Sequence, residues 1–341
     1  MQSATCAGTF KKERPMKLNF DPNKNITTFD HILAQKNRVK DLNNIRKIVS
    51  NWYEVLLFRL GLINSFEMKF RDGKRVKISS PKDYFDFWNS EVGSLELLRE
   101  FRDKVKIRKD TVEFKWGGLS KPIKLFYDTP KQLTNTMGLV KEQFFEEQYR
   151  WLDVKGKDVV DIGANIGDTA IYFALKNAKH VYAFEPYPYS YNLAVKNKKA
   201  NGFEEKVTLL NEACGGKRGK IKIGMNYENR GGTDLKSFNK GKVVRIVTLK
   251  DIVRRFKINR GILKVDCEGC EYGIILNAKK ETLKKFDQIM IEYHYGYKNL
   301  VKKLKETGFH VKIIAPIFYF NPEAENHNMI IGLIYAKLAA V

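Results

Sequence analysis

From residue 157 onward, short apolar runs alternate with stretches of helical spacing. Residues 157–162 read as a buried strand, 167–177 as a helix, 180–184 as a second strand and 189–200 as a second helix. Further strands are predicted over 207–210, 262–265, 288–293, 309–314 and 329–335, with helical patterns between most of them. Strands alternating with helices predict an α/β fold with a doubly wound parallel sheet. The last two strands have no helix between them. They read as a hairpin-like pair at one sheet edge, joined by a loop over 316–328.

The first 150 residues are less regular. Residues 42–62 fit one long helix, with Trp52, Tyr53 and Phe58 among its apolar positions. Residues 66–79, around Arg71-Asp-Gly73, read as strand–turn–strand. Residues 83–101 look helical, and 112–127 look like β structure broken at Gly117-Gly118. A soft boundary near 150–156 divides an N-terminal α+β region, 1–154, suited to capping a substrate, from an α/β domain over 155–341.

The chain has 341 residues, 43% of them hydrophobic, which supports a packed core and excludes global disorder. No uncharged apolar run reaches the ~18 residues a membrane span needs. The start carries no apolar signal segment, so a cytoplasmic protein is expected. The net charge of +23 raises nucleic acid as a partner. Its distribution argues against a dedicated basic module: residues 1–150 hold 29 Lys and Arg against 19 Asp and Glu, and residues 151–341 hold 33 against 20. A solvated lysine-rich surface is the favoured reading. Cys267 and Cys270 form a Cys-x-x-Cys pair, a pattern of redox or zinc sites. A zinc site needs about four ligands, and no second pair exists, so the two read as small packing residues.

Most of the chemistry lies in Val159-Val-Asp-Ile-Gly-Ala-Asn-Ile-Gly-Asp168. A buried strand ends in an acid, turns through Gly163, Asn165 and Gly167, and opens a helix. The glycines let backbone approach a ligand closely, and the helix start offers free N–H groups. Asp161 is placed to attract a ligand ammonium, directly or through water. Glu185, in Ala183-Phe-Glu-Pro186, ends the second strand and is placed to accept two ribose hydroxyl hydrogen bonds. The glycine spacing departs from the Gly-x-Gly-x-x-Gly of dinucleotide enzymes.

Asp161-Ile-Gly-Ala-Asn-Ile-Gly167, Phe184-Glu-Pro186 and Leu263-Lys-Val-Asp-Cys-Glu-Gly-Cys-Glu271 together resemble the FkbM family of methyltransferases, over about residues 155–335. The resemblance implies a class I methyltransferase fold: a Rossmann-like seven-stranded sheet with one antiparallel strand, using S-adenosyl-L-methionine. It implies methylation of hydroxyl oxygens on sugars, polyketides and similar small molecules. Thr248-Leu-Lys-Asp251 matches a family pattern except at Lys250, and Thr248 reads as a helix cap. By the same likeness Asn211 and Ala213, after the third strand, would contact adenine, and Gly231-Gly-Thr-Asp234 would face the substrate.

Asp266, Glu268 and Glu271 follow the fourth strand, and Glu292 and His294 end the next. Alternation puts Asp266 with Glu268, and Glu292 with His294, at one rim if extension continues. His294 is the candidate general base, because the other four histidines lie outside the core, at strand starts or in a late loop. Asp266 and Glu268 are the next candidates. Magnesium binding by these acids is conceivable, but no metal is expected to be required. An RNA methyltransferase and a non-catalytic cofactor-binding module are the competing readings. The first lacks the Asn/Asp-Pro-Pro-aromatic stretch of base-amine methylation. The second is disfavoured by the intact glycine loop and Glu185.

Overall fold

The computed structural model describes residues 21–27, 30, 45–80, 83–84, 103–223, 241–320 and 328–339. The upstream hairpin forms as expected: β1 (Phe66–Lys69) pairs antiparallel with β2 (Arg75–Ile78). Phe66, Met68 and Ile78 point inward, onto Ile45, Val49 and Phe58. The single long helix expected over 42–62 is broken. Residues 45–48 are helical, Val49 bridges to Phe70, and α1 (Trp52–Arg59) starts afresh. The cause is Asn51, whose amide donates to the Glu67 carbonyl at 2.7 Å and accepts from the Lys69 N–H at 2.8 Å. That pairing to β1 competes with helical hydrogen bonding. Beyond residues 83 and 84, the helix expected over 83–101 lies outside the described residues.

Strands β3 (Val105–Ile107), β4 (Thr111–Phe114) and β5 (Ile123–Phe126) make an antiparallel sheet, with Gly117 and Gly118 in the β4–β5 connection. Helix α2 (Pro130–Val140) follows, unforeseen in the pattern. Thr129 caps it by accepting from the Gln132 N–H, and Pro130 sits in its first turn. It runs on into a π-helical turn, Lys141–Phe145.

The main sheet then builds in βα units: β6 (Asp158–Ile162), α3 (Asp168–Leu175), β7 (His180–Phe184), α4 (Pro188–Ala200) and β8 (Val207–Leu210). A side sheet of β9 (Glu212–Cys214), β10 (Gly219–Ile223) and β11 (Lys242–Val247) intervenes. Helix α5 (Leu249–Arg255) starts at the expected Thr248 cap, and Asp251 adds the reciprocal bond by accepting from the Thr248 N–H. The second half is β12 (Gly261–Val265), α6 (Cys270–Asn277), α7 (Lys280–Leu283), β13 (Phe286–Tyr293), α8 (Lys298–Thr307), β14 (Phe309–Phe320) and β15 (Asn328–Leu338).

The sheet order is β14-β15-β13-β12-β6-β7-β8, and β15 runs antiparallel to both neighbours. This is the seven-stranded Rossmann-like arrangement that the resemblance implies. The edge hairpin is longer than its apolar pattern, and residues 321–327 between its strands lie outside the described residues. Winding reverses between β6 and β12, so a switch point opens at their carboxyl ends. Among the described residues, no helix is long and apolar enough to cross a membrane.

The boundary near 150–156 does not separate two cores. One apolar cluster runs from Val112, Phe114 and Leu125 through Val140 and Tyr149 to Val159, Ile171 and Met290. β4, β5 and α2 therefore complete the packing on one face of the main sheet. The Ile45–Tyr84 cluster is the separate one.

A short upstream segment also docks on the sheet domain. The buried Asn25 side chain donates to the Tyr295 carbonyl at 3.0 Å and accepts from the Asn299 N–H at 3.0 Å. The Tyr297 N–H donates to the Asn25 carbonyl at 2.9 Å, and the Tyr297 hydroxyl donates to Asp30.

Candidate active site

The loop after β6 holds Gly163, Asn165 and Gly167 at φ of 81°, 48° and 83°. The first two N–H groups, of Gly163 and Ala164, both donate to the Phe184 carbonyl at 3.0 Å, tying the loop to the end of β7. Glu185 continues the tie: its Oε2 accepts from the Asn165 N–H and its Oε1 from the Tyr187 N–H, each at 2.8 Å. The glycines also answer a need within the chain itself. A Cβ on Gly163 would stand 1.6 Å from the Asp266 carbonyl oxygen, and one on Gly167 would stand 3.1 Å from the Ala194 Cβ. They let the loop approach the end of β12 and α4 within its own chain.

Beneath the loop, Asp161 is fully buried, accepts from the Thr169 hydroxyl at 2.6 Å and lies 3.1 Å from Lys264 Nζ. Sequence reading passed over Lys264. Its signal was a lysine inside the apolar run Ile262-Leu-Lys-Val265. Lys264 is 1% exposed, donates to the Gly163 carbonyl at 2.7 Å and lies 3.8 Å from Asp266 Oδ2. Burial works against its charge, but Asp161 and Asp266 outweigh that and hold its pKa above the ordinary value.

Lys264 thus links the loop to a second group, at the ends of β12 and β13. Extension does not continue past Asp266, because Glu268 and Gly269 turn the chain at φ of 57° and 112°. The turn still brings both acids to His294, whose Nε2 lies 3.3 Å from Glu268 Oε2 and 4.0 Å from Asp266 Oδ1. On its other side, His294 Nδ1 lies 3.0 Å from Glu271 Oε1, which also accepts the His294 backbone N–H at 3.0 Å. Glu271, in the first turn of α6, is fully buried and accepts from the Gly269 N–H at 2.8 Å as well. Sequence reading gave Glu271 no role beyond its place among three acids. Its link to His294 needs the α6 position, which the pattern does not show. Cys267 and Cys270 are disulfide-bonded across this turn, so they are not the small packing residues expected.

His294 is 1% exposed. Burial alone would lower its pKa. Glu271 and Glu268 overcome that and raise it well above the ordinary 6.5. Glu292 receives the Gln148 side-chain amide at 2.8 Å, and burial together with Asp266 raises its carboxyl to about 8. The donor atoms of Asp266, Glu292 and His294 lie within 4.8 Å of one another, a spacing that a divalent cation can bridge. Tyr149, whose hydroxyl is buried without a hydrogen-bond partner, feels the charges of Asp266 and Glu292 after the effect of burial itself.

The remaining expected residues lie nearby or elsewhere. Asn211 Nδ2 donates to the Glu185 and Pro186 carbonyls at 2.9 Å, and its Oδ1 accepts from Lys242 at 2.8 Å. Ala213 is 1% exposed and pairs with Ile246 in the side sheet. His31, His327 and the Gly231–Asp234 stretch lie outside the described residues.

Residues 161–311 match the methyltransferase FkbM domain family. Uncharacterized protein 158B of Sulfolobus islandicus rod-shaped virus 1 is 30% identical over 167 residues, covering 48% of this chain and 78% of that protein. Uncharacterized protein 65 of a Sulfolobus islandicus filamentous virus is 26% identical over 168 residues, with the same 48% and 78% coverage. Among solved structures, magnesium protoporphyrin IX methyltransferase from Synechocystis PCC 6803 superimposes with a TM-score of 0.33 at 11% identity, covering 76% of this chain and 96% of that one. So loose a superposition carries no argument about chemistry. The matched span includes the loop, Glu185 and the His294 cluster, and over residues 161–311 the chain belongs to the FkbM methyltransferase domain family.

Proposed function

We propose that the protein is an S-adenosyl-L-methionine-dependent O-methyltransferase acting on a hydroxyl of a sugar, glycan or other small molecule. The observation that carries this reading is the junction made by Lys264. It joins a braced loop at the end of β6 to a buried histidine ringed by carboxylates.

The residues fit the cofactor. Its sulfonium and ammonium are cations, and Asp161, Asp266, Glu268 and Glu271 together carry more negative charge than Lys264 and His294 neutralise. Glu185, the acid just past the second strand of the βα units, would accept from the ribose hydroxyls. Asn211 and Ala213 border the same strand ends for the adenine.

When bound, the cofactor supplies a methyl group already attached to a good leaving group. The chain aligns the acceptor oxygen and takes its proton. Glu271 fixes His294 with Nδ1 protonated, which turns the Nε2 lone pair toward Asp266 and Glu268. The acceptor's proton passes to Nε2, and those two carboxylates stabilise the resulting imidazolium. A histidine held above its ordinary pKa is a stronger base, at the cost of being fully deprotonated only at higher pH.

Calorimetry should show binding of S-adenosylmethionine but not NAD. A cell extract given methyl-labelled cofactor should carry label in its small-molecule or glycan fraction. NAD binding without S-adenosylmethionine binding overturns the reading. Label in nucleic acid alone moves the substrate class to RNA, the competing reading that the +23 charge raises.

A further inference from the structure

The Cys267–Cys270 disulfide has no part in the methyl transfer derived above. It spans the turn that presents Glu268 to His294 Nε2 and Glu271 to His294 Nδ1. Between the two sulfurs lie Glu268 and Gly269, both in the left-handed region, where a non-glycine residue is strained. The contact reaches the carboxylate directly, because Cys267 Sγ lies 3.7 Å from Glu271 Oε2. Covalent closure thus helps to hold a backbone shape that Glu268 would not otherwise favour.

The two sulfurs differ in access. Cys267 is half-buried, between a half-buried Asp266 and an exposed Glu268, whereas Cys270 is 7% exposed. Cys270 is the first residue of α6, where the helix N-terminus favours a thiolate over a thiol. An accessible sulfur joined to a stabilised leaving thiolate is what thiol–disulfide exchange requires. Cys214, the free cysteine among the described residues, is buried in the side sheet.

We propose that Cys267 and Cys270 form a redox site whose substrate is a dithiol reductant, and that reducing it loosens Glu268 and Glu271 from His294. An incoming thiolate attacks Cys267 Sγ, the S–S bond breaks, and its electron pair leaves on Cys270 Sγ. The reductant's second thiol loses its proton to solvent. It then attacks the reductant sulfur of the mixed disulfide and expels Cys267 as a thiolate. Two electrons pass to the pair with two protons, and the reductant departs as its own disulfide. The exchange chemistry stands on the turn itself. Its effect on turnover rests on the methyltransferase reading.

The test equilibrates the full chain in dithiothreitol buffers of graded redox ratio, traps thiols with iodoacetamide and maps them by mass spectrometry. Alkylation at Cys267 and Cys270 should rise together in one two-electron transition while circular dichroism stays unchanged. In the reduced protein, the His294 ring signals should titrate about one pH unit or more lower, as expected when a flanking carboxylate moves away. Turnover should fall about tenfold, toward that of an enzyme lacking an oriented base. Cys267→Ser with Cys270→Ser should match the reduced protein and ignore the redox buffer. Thiols free under fully oxidising conditions, a pair that resists complete reduction, or identical His294 titrations in both forms would each overturn the proposal. If the pair exchanges and His294 responds while S-adenosylmethionine binds neither form, the methyltransferase reading fails and the redox site stands.

Discussion

Replacing Lys264 by methionine keeps the length of the side chain and removes its charge. Lys264 lies 3.1 Å from Asp161, which is fully buried and has the Thr169 hydroxyl as its other polar neighbour. Removing one member of a buried ion pair costs roughly 3–5 kcal/mol, because the other charge is left desolvated. Asp161 has one escape, which is to bind a proton. From an unfolded pKa of about 3.9, that costs about 4 kcal/mol at pH 7 and about 1.5 kcal/mol at pH 5. The penalty is therefore capped near 4 kcal/mol at neutral pH and shrinks on acidification. The sign follows from linkage: in the variant the folded pKa of Asp161 lies above the unfolded one. Destabilisation is absent below the unfolded value and grows as pH rises toward the folded one. Urea unfolding of both proteins at pH 7 and pH 5 measures the gap. A gap below about 1 kcal/mol at pH 7, or an equal gap at both pH values, would refute the assignment of Lys264 as the partner of Asp161.

His294→Ala should lower kcat by about 10²–10⁴-fold with cofactor affinity nearly unchanged; retention of more than a tenth of the activity would move the base to Asp266 or Glu268. In the wild type, kcat should rise with pH along a limb above 6.5, since His294 must lose a proton to act and its neighbours hold that proton. A limb at or below 6.5 would contradict that. Glu185→Ala should weaken S-adenosylmethionine binding by roughly 1–3 kcal/mol in calorimetry, through lost hydrogen bonds to a charged acceptor. Turnover should persist in EDTA, whereas complete loss restored by Mg²⁺ would make Asp266, Glu292 and His294 a required metal site.

The sheet was legible where an apolar run had clear ends. β7 and β8 match their apolar runs to the residue, because each is bounded by turn-forming or polar residues. The side sheet was not legible: Gly219-Lys-Ile-Lys-Ile223 is short and partly exposed, and it offers only two apolar residues. The upstream helix failed for a tertiary reason, since the Asn51 bonds to β1 come from residues 16 and 18 positions away. At the site, the convergence of Asp266, Glu268 and His294 was legible from strand ends. Its causes were not. Lys264 looks like part of an apolar strand, and Glu271 depends on the turn that Glu268 and Gly269 make.

The docked Asn25 segment has a consequence for synthesis. Its partners, Tyr295 and Asn299, lie 270 or more residues downstream, so they leave the ribosome long after it does. The loop just past His294 is thus closed by a piece of chain that is made early and must wait. Closure over so long a separation is entropically costly and slow. Gly296, where a Cβ would come within 2.8 Å of the Asn25 carbonyl oxygen, lets the two meet without adjustment when they do. Maturation of the β13 end of the site is therefore tied to synthesis of residues 295–299, and a nascent chain stalled before residue 299 would lack the Asn25–Asn299 bond that closes this loop.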